Sequence, residues 1–409
     1  MGCLPESKQV RLAVFSHKHC WHSTASVSGY ATDGGFPFQM RALSELFDST
    51  ALVVSCLEKP GSSGESPLTG HNLTVAPLTT PRGAGWRRKL DFPFWLLRNF
   101  TTIRREFSRA DAVHAPIPGD VGTIGMLLAF VMRKPLFVRH CGNWFVQETA
   151  AEHFWKWFMV KCAGGRNVML ATGGAANPPS QNPKLRWIFS TSLTEQQLTS
   201  YAVVREPPQD GRLRLIIAAR QEIKKGTGVV IESLPLLLKK FPQVTFDVVG
   251  GGEALNVFKK LAISLGVNDR VKFHGAVNHA QVIRLLQQSD LFCFPTTSSE
   301  GFPKAVLEGL ACGLPVITTR VSILPQLIGK GGGMLMDEAS PTAVEQAVEE
   351  IFAQPDRYQM MSARAAETAR QYSLESWRDE IGGLCRAAWR KNLRSDRLEL
   401  RESSPALSR

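Results

Sequence analysis

Short apolar runs rich in β-branched residues alternate along this chain with longer stretches of helical period. The strand-like runs of the first half are Arg11–Phe15, Ala51–Ser55, Ala112–Ala115, Leu136–His140 and Val168–Ala171. Those of the second half are Leu213–Ala219, Thr245–Gly250, Arg270–His274, Leu291–Pro295 and Val316–Thr319. They are continuously apolar rather than alternating, which is the pattern of strands covered on both faces of a parallel sheet. Two such sets, each interleaved with helices, predict an α/β protein with two doubly wound lobes. Between them Ala202–Arg212 is polar and holds two prolines, so the hinge is placed there. The expected domains are 1–205 and 206–373. Helices are expected at Pro37–Phe47, Pro341–Ala353, Asp356–Gln371 and Leu374–Lys391; the last gives an amphipathic segment over 374–392. The tail 393–409 is charged and has no core pattern.

Composition narrows this picture only in part. A hydrophobic fraction of 44% over 409 residues fits a folded protein with room for two domains. The formal charge of +12 favours anionic partners such as nucleotide diphosphates or lipid headgroups. No run reaches the roughly 20 apolar residues that span a bilayer; Thr123–Met132 is halted by Arg133 and Lys134. The start, MGCLPESKQV, has no apolar signal core, and Glu6 stands where a myristoylation motif needs Ser or Thr. Eight cysteines without a C-x-x-C suggest buried thiols in a reducing compartment. A cytoplasmic location is therefore expected. The segment Trp86–Lys89 and the run Trp95–Arg109 mix aromatic and basic residues. They add an expectation of peripheral contact with the inner face of a membrane through 86–109.

The densest chemistry lies in Asp290–Thr319, DLFCFPTTSSEGFPKAVLEGLACGLPVITT. It reads as strand, polar loop, short helix and strand. Glu300 and Glu308 stand eight residues apart across the loop-to-helix junction. Gly301 permits a sharp turn, and Pro303 suits the first helical turn, where its missing N–H costs nothing. The free amides of that turn attract an anion. A carboxylate grips vicinal hydroxyls as a two-pronged acceptor, as sugars and riboses require.

With its flanks, EGFP and LEGLACGLPVI, this Glu-x7-Glu pattern resembles the donor site of glycosyltransferase family 4. That family consists of retaining, nucleotide-sugar-dependent transferases of the GT-B fold. The resemblance implies two Rossmann-like lobes facing a cleft, with a C-terminal helix crossing back. It implies that Glu300 holds sugar hydroxyls and Glu308 the ribose, with Gly301, Phe302, Pro303 and Lys304 on the donor. Arg220, Lys225 and Gly226 match the family's Arg-x4-Lys-Gly element, where an Arg fork and a Lys point charge clamp the diphosphate. Gly250 and Gly251 match its glycine turn, although a tight turn alone explains a glycine run equally well. His274 and Val277, in FHGAV, match the strand end that meets the nucleobase through backbone groups. His140 matches a histidine that contacts the reacting sugar. Gly34 and Gly35 match a glycine pair on the acceptor side.

Two local features stay outside this pattern. His17, His19, Cys20 and His22 are metal-ligand types at short spacing, but no distant group completes a tetrahedral set. They read better as polar residues in a long loop after the first strand, and no metal site is assigned. Gln326 stands where the family usually has Glu.

The resulting expectation is a retaining hexosyltransferase acting from a nucleotide-diphosphate sugar onto a glycan or lipid-linked acceptor, in polysaccharide or glycolipid synthesis. No cofactor and no nucleic-acid partner are expected. A GT-B nucleotide-sugar epimerase and a non-catalytic nucleotide-sugar-binding protein are the alternatives.

Overall fold

The computed structural model describes residues 9–58, 65–81, 83, 86–299 and 301–394. The chain divides into two compact units. Unit 1 holds Met1–Thr172, Pro178–Thr194 and Leu374–Arg409; unit 2 holds Gly173–Asn177 and Glu195–Ser373.

The strands of unit 1 are β1 (Arg11–His22), β2 (Tyr30–Thr32), β3 (Ser49–Leu57), β4 (Ser66–Pro67), β5 (Leu73–Leu78), β6 (Ala112–Ile117), β7 (Leu136–His140), β8 (Asn167–Thr172) and β9 (Leu185–Ile188). The parallel order is β5-β3-β1-β6-β7-β8-β9. β2 and β4 extend the far end of β1 antiparallel. Alternation along β1 feeds two cores. Leu12 and Val14 join helix α1 (Phe36–Ser44) through Met40 and Leu43. Ala13 and Phe15 point the other way. There they meet α2 (Trp86–Arg109), α3 (Asp120–Val131) and α4 (Ala150–Cys162) through Trp95, Met126 and Phe158.

One expectation about unit 1 is corrected. β1 does not stop at Phe15. It passes a register shift between Ser16 and His19 and pairs onward with β3 as far as Trp21. His17, His19, Cys20 and His22 are therefore strand residues, not a loop. Cys20 and Trp21 are buried there, whereas His17, His19 and His22 are exposed. β1 runs on to His22 and β2 follows at Tyr30–Thr32, so Gly34 and Gly35 do not end one long free loop.

Unit 2 is a six-stranded parallel sheet of β10 (Arg212–Ala218), β11 (Gln243–Val249), β12 (Val271–Gly275), β13 (Leu291–Phe294), β14 (Val316–Thr319) and β15 (Gly333–Met336). Its order is β12-β11-β10-β13-β14-β15, the reversal at β10/β13 marking a doubly wound sheet. Its helices are α5 (Glu195–Ser200), α6 (Thr227–Leu237), α7 (Leu255–Ser264), α8 (His279–Gln288), α9 (Lys304–Ala311), α10 (Leu324–Ile328), α11 (Pro341–Phe352) and α12 (Pro355–Arg370). The segment expected to be a polar hinge is anchored. Buried Arg205 donates to Leu286 O and Cys312 O, and also to Ser289 O, at the C-terminal ends of α8 and α9. Helix C-termini carry the negative end of the dipole, so a cation suits them.

The chain then returns to unit 1 as α13 (Leu374–Trp389). Its residues Trp377, Ile381, Cys385 and Trp389 share a core with Met40 and Leu43 of α1. Buried Arg378 pairs with Glu45, and Trp389 Nε1 donates to Arg166 O at 2.9 Å.

Candidate functional site

The candidate residues of unit 2 sit at or beyond the C-terminal ends of its parallel strands, in the loops and helices that follow them, where doubly wound sheets bind ligands. The loop after β10 runs through Arg220, a single turn at Ile223–Lys225, and Gly226. Gly226 has φ +89, and a Cβ there would lie 2.3 Å from Pro295 O. No other residue lets the loop lie this close to the end of β13. Lys224 O accepts from Thr297 N at 2.9 Å and from Thr296 Oγ1 at 3.1 Å. Lys225 Nζ reaches Ser298 Oγ at 3.5 Å. The basic turn and the loop that leads to the glutamate motif are thus brought together. Arg220 extends into solvent, with its side chain 77% exposed and Glu222 at 3.3 Å.

The glycine turn is explained by packing. Gly250 has φ +116, and a Cβ on it would fall 1.9 Å from Ala219 O. A Cβ on Gly252 would fall 2.3 Å from Gln221 O, whereas Gly251 meets only Ala276 Cβ at 3.9 Å. Sequence reasoning missed the residue that organises this turn. Gln221 is fully buried. Its Nε2 donates to Ala219 O and Val249 O at 2.9 and 3.0 Å, and its Oε1 accepts from Thr227 Oγ1 at 2.7 Å. Its backbone N–H donates to Gly251 O. A buried amide with every group satisfied fixes the loops after β10 and β11 in one register. The available signal was a polar residue directly beyond an apolar strand.

Glu308 is the fifth residue of α9 and is mostly buried. Its Oε1 lies 3.2 Å from His279 Nε2. His279 opens α8, capped by Asn278 in a reciprocal capping box with Gln281. The hydrogen bond to Glu308 raises the His279 pKa above its ordinary 6.5, against the opposing effect of burial. Through this pair Glu308 stands beside the turn that carries Val277. His279 was not foreseen, because a histidine opening a helix looks ordinary.

His274 is engaged by Asp247 Oδ1 at 2.6 Å, so a ligand contact at this position falls to its backbone. Pro303 is the N-cap of α9 rather than a first-turn residue, with φ −80 and ψ 85. It lacks an N–H in either place, and its carbonyl accepts the first helical bond, from Val306 N at 3.0 Å. Lys304 opens the helix, and Phe302 lies 5.6 Å from the Tyr372 ring. Gly301 O approaches Gly173, where a Cβ would come within 2.5 Å. Glu300 lies outside the described residues. Gln326 has a use a glutamate could not serve: its Nε2 donates to Ala175 O and holds the segment Gly173–Asn177.

The remaining candidates lie in unit 1. His140 ends β7, is almost fully buried, and stands edge-on to Trp144 at 5.2 Å. Burial pushes its pKa down to about 4, so the ring is neutral at physiological pH. Its Nδ1 has no hydrogen-bond partner. Gly34 has φ +69 with open space around it, and Gly35 caps α1. Among the described residues no three His, Cys, Asp or Glu side chains gather as a metal-binding group. Cys20 lies instead against Cys56 of the neighbouring strand.

Two doubly wound parallel-sheet units of this kind define the GT-B class of folds. Solved structures agree. Anabaena HepE in complex with UDP superposes with a TM-score of 0.65 over 92% of this chain and 100% of that one, at 16% identity. A glycosyltransferase from Rickettsia africae gives 0.66 over 93% and 99%, at 14% identity. Residues 204–368 match the family model of glycosyl transferases group 1. Over 170 residues the chain is 27% identical to the GDP-mannose-dependent α-(1-6)-phosphatidylinositol monomannoside mannosyltransferase of Mycolicibacterium smegmatis, covering 40% of this chain and 44% of that protein. Over 122 residues it is 34% identical to the amylovoran biosynthesis glycosyltransferase AmsK of Erwinia amylovora, covering 28% of this chain and 30% of that protein. The chain thus spans less than half the length of these curated relatives.

Proposed function

We propose that the chain is a retaining glycosyltransferase of family 4. It moves a hexosyl-type sugar from a nucleotide-diphosphate sugar to an acceptor hydroxyl on a glycan or lipid-linked acceptor. The observation that carries this reading is the convergence in unit 2 of the Arg220–Lys225 turn, the glycine turn and the Glu308–His279 pair on adjoining strand ends. Arg220 and Lys225 neutralise the diphosphate, whose charge grows as the bond to the sugar breaks. Glu308 holds the ribose hydroxyls, and Glu300 those of the sugar. The backbone at His274 and Val277 meets the base, and neutral His140 offers a polar contact to the reacting sugar. In this reading 206–373 is the sugar-nucleotide domain and 1–205 the acceptor domain, and no metal takes part. A relative named for GDP-mannose and a neighbour holding UDP support a nucleotide-sugar substrate without choosing the base.

The membrane expectation has structural support of its own. On α2 the outward positions Leu90, Phe94 and Leu97 are 64%, 66% and 73% exposed. They recur at i, i+4 and i+7 and so form one apolar stripe. Exposed Arg87, Arg98, Arg104 and Arg105 flank it. Such a face rests on an anionic lipid surface, consistent with a cytoplasmic enzyme serving lipid-linked acceptors. No described helix is long and apolar enough to cross a membrane.

The test is to incubate the protein with UDP-, GDP- and ADP-sugars, with and without a chelator, and to analyse products by mass spectrometry. Sugar transfer that survives the chelator is expected. Isomerisation of the nucleotide sugar without transfer would replace this reading with an epimerase.

A further inference from the structure

Unit 1 holds an open cavity of about 670 Å³, lined by His17, Arg88, Phe92, Gly119, Asp120 and Trp155. Its walls are built rather than incidental. The Trp155 indole is pinned by its Nε1–H, which donates to Thr123 Oγ1 at 2.8 Å. Thr123 in turn donates to Gly119 O at 2.8 Å. Phe92 is held by stacking on Trp95, with centroids 5.5 Å apart. Gly119 has φ +144, and a Cβ on it would fall 2.5 Å from the His17 ring. Only glycine therefore lets that imidazole lie against the cavity loop. Partial desolvation of the ring and the neighbouring His19 and Lys18 lower the His17 pKa.

The polar groups narrow the ligand. Arg88 Nη2 and Asp120 Oδ2 meet at 2.7 Å, and both side chains remain about half exposed. The pair cancels its own charge, so the cavity has no net attraction for a phosphate or a free carboxylate. A purely apolar ligand would strip water from this pair without replacing its hydrogen bonds. A sugar ring satisfies both demands. Its C–H faces lie on Trp155 and Phe92, while its hydroxyls donate to Asp120 and accept from Arg88. Pockets of about this size hold small ligands with a few placed polar groups.

We infer that this cavity binds a sugar residue of the acceptor, with Asp120 and Arg88 as its specificity-determining pair. The inference rests on the transferase reading above and places the acceptor at residues distinct from Gly34 and Gly35.

The experiment is saturation-transfer NMR on the full chain with methyl glycosides of glucose, mannose, galactose and N-acetylglucosamine. Asp120→Asn and Arg88→Gln are run beside the wild type. Neither change should unfold the protein, because a half-exposed ion pair contributes little to stability; matching melting temperatures check this. At least one glycoside should transfer saturation in the wild type and bind about tenfold more weakly in each variant, the loss of one charge-assisted hydrogen bond. Absence of any glycoside signal in the wild type at millimolar concentrations overturns the inference. So does binding that both variants leave unchanged. A parallel titration of the wild type with UDP, GDP and ADP separates the two readings. Nucleotide binding without glycoside binding removes the cavity's role alone. Failure to bind any of the three nucleotides removes the transferase reading itself.

Discussion

Glu308 and His279 illustrate what a single contact adds to a motif. The motif supplies the carboxylate, but only folding brings His279 Nε2 to 3.2 Å from it. A hydrogen bond from the imidazole there fixes the carboxylate rotamer and, in the proposed role, leaves its second oxygen for a ribose. Because the folded His279 pKa lies above the ordinary 6.5, the pair stabilises the fold fully below pH 6.5. That contribution is lost as pH rises through the folded value. Glu308→Gln should return the His279 titration, followed by its imidazole NMR signals, toward the ordinary value. It should also weaken UDP or GDP binding by about tenfold or more, since a neutral amide is a poorer partner for paired hydroxyls. An unchanged imidazole titration would show that the two groups do not interact in solution. At this scale the sequence displayed charge well and mediation poorly. Arg220, Lys225 and Glu308 stood out by type and spacing, whereas Gln221 acts only through hydrogen bonds that the fold creates. The reverse holds for the glycine run: its spacing hinted at phosphate, while Gly250 and Gly252 answer to backbone crowding.

Elements buried on both sides were legible, and most edge elements were not. All ten predicted strands exist: nine lie inside a sheet, where parallel strands must be apolar throughout, and the edge strand β12 is the exception. β2, β4, β5, β9 and β15 were missed: they are short or lie at sheet margins, where one face or one ladder lacks a partner and the apolar run is interrupted. β1 was cut short because its second half, His17–His22, mixes exposed polar residues with buried ones instead of continuing the apolar run. Helix α2 shows the opposite case, in which an exposed face is informative. Leu90, Phe94 and Leu97 contribute nothing to the core of unit 1, yet they lie in line beside arginines. Wild-type protein should co-sediment with phosphatidylglycerol-containing vesicles and only weakly with phosphatidylcholine vesicles. Phe94→Glu with Leu97→Glu should reduce that binding about tenfold or more. These side chains are exposed, so the fold should be retained. Equal binding of the double variant would assign the stripe to something other than lipid.

At the scale of the whole molecule, the alternation of strands and helices was enough to give two doubly wound sheets. The way the chain threads them was not. Gly173–Asn177 belongs to unit 2 although both flanking segments belong to unit 1. The contact that holds it, Gln326 to Ala175 O, spans a sequence distance that no local pattern encodes. The interior of unit 1 carries a further consequence for the molecule as a whole. His114 on β6 and His140 on β7 are both almost fully buried. Burial lowers their pKa values to about 3 and about 4. Both rings must stay neutral in the folded state, while the unfolded chain takes up protons below about pH 6.5. Depressed folded values mean that the unfolded state binds more protons, so stability falls as pH drops from 6.5 toward 4. At about pH 5 each histidine should cost about 2 kcal/mol, or about 4 kcal/mol together. That is a large share of a typical folding free energy. Urea unfolding at a series of pH values should show this loss, and His114→Gln should remove about half of the slope, because a neutral amide has no proton to gain. An unfolding midpoint that stays flat from pH 7 to pH 5 would mean that these rings gain access to water or to an anionic partner before the chain unfolds.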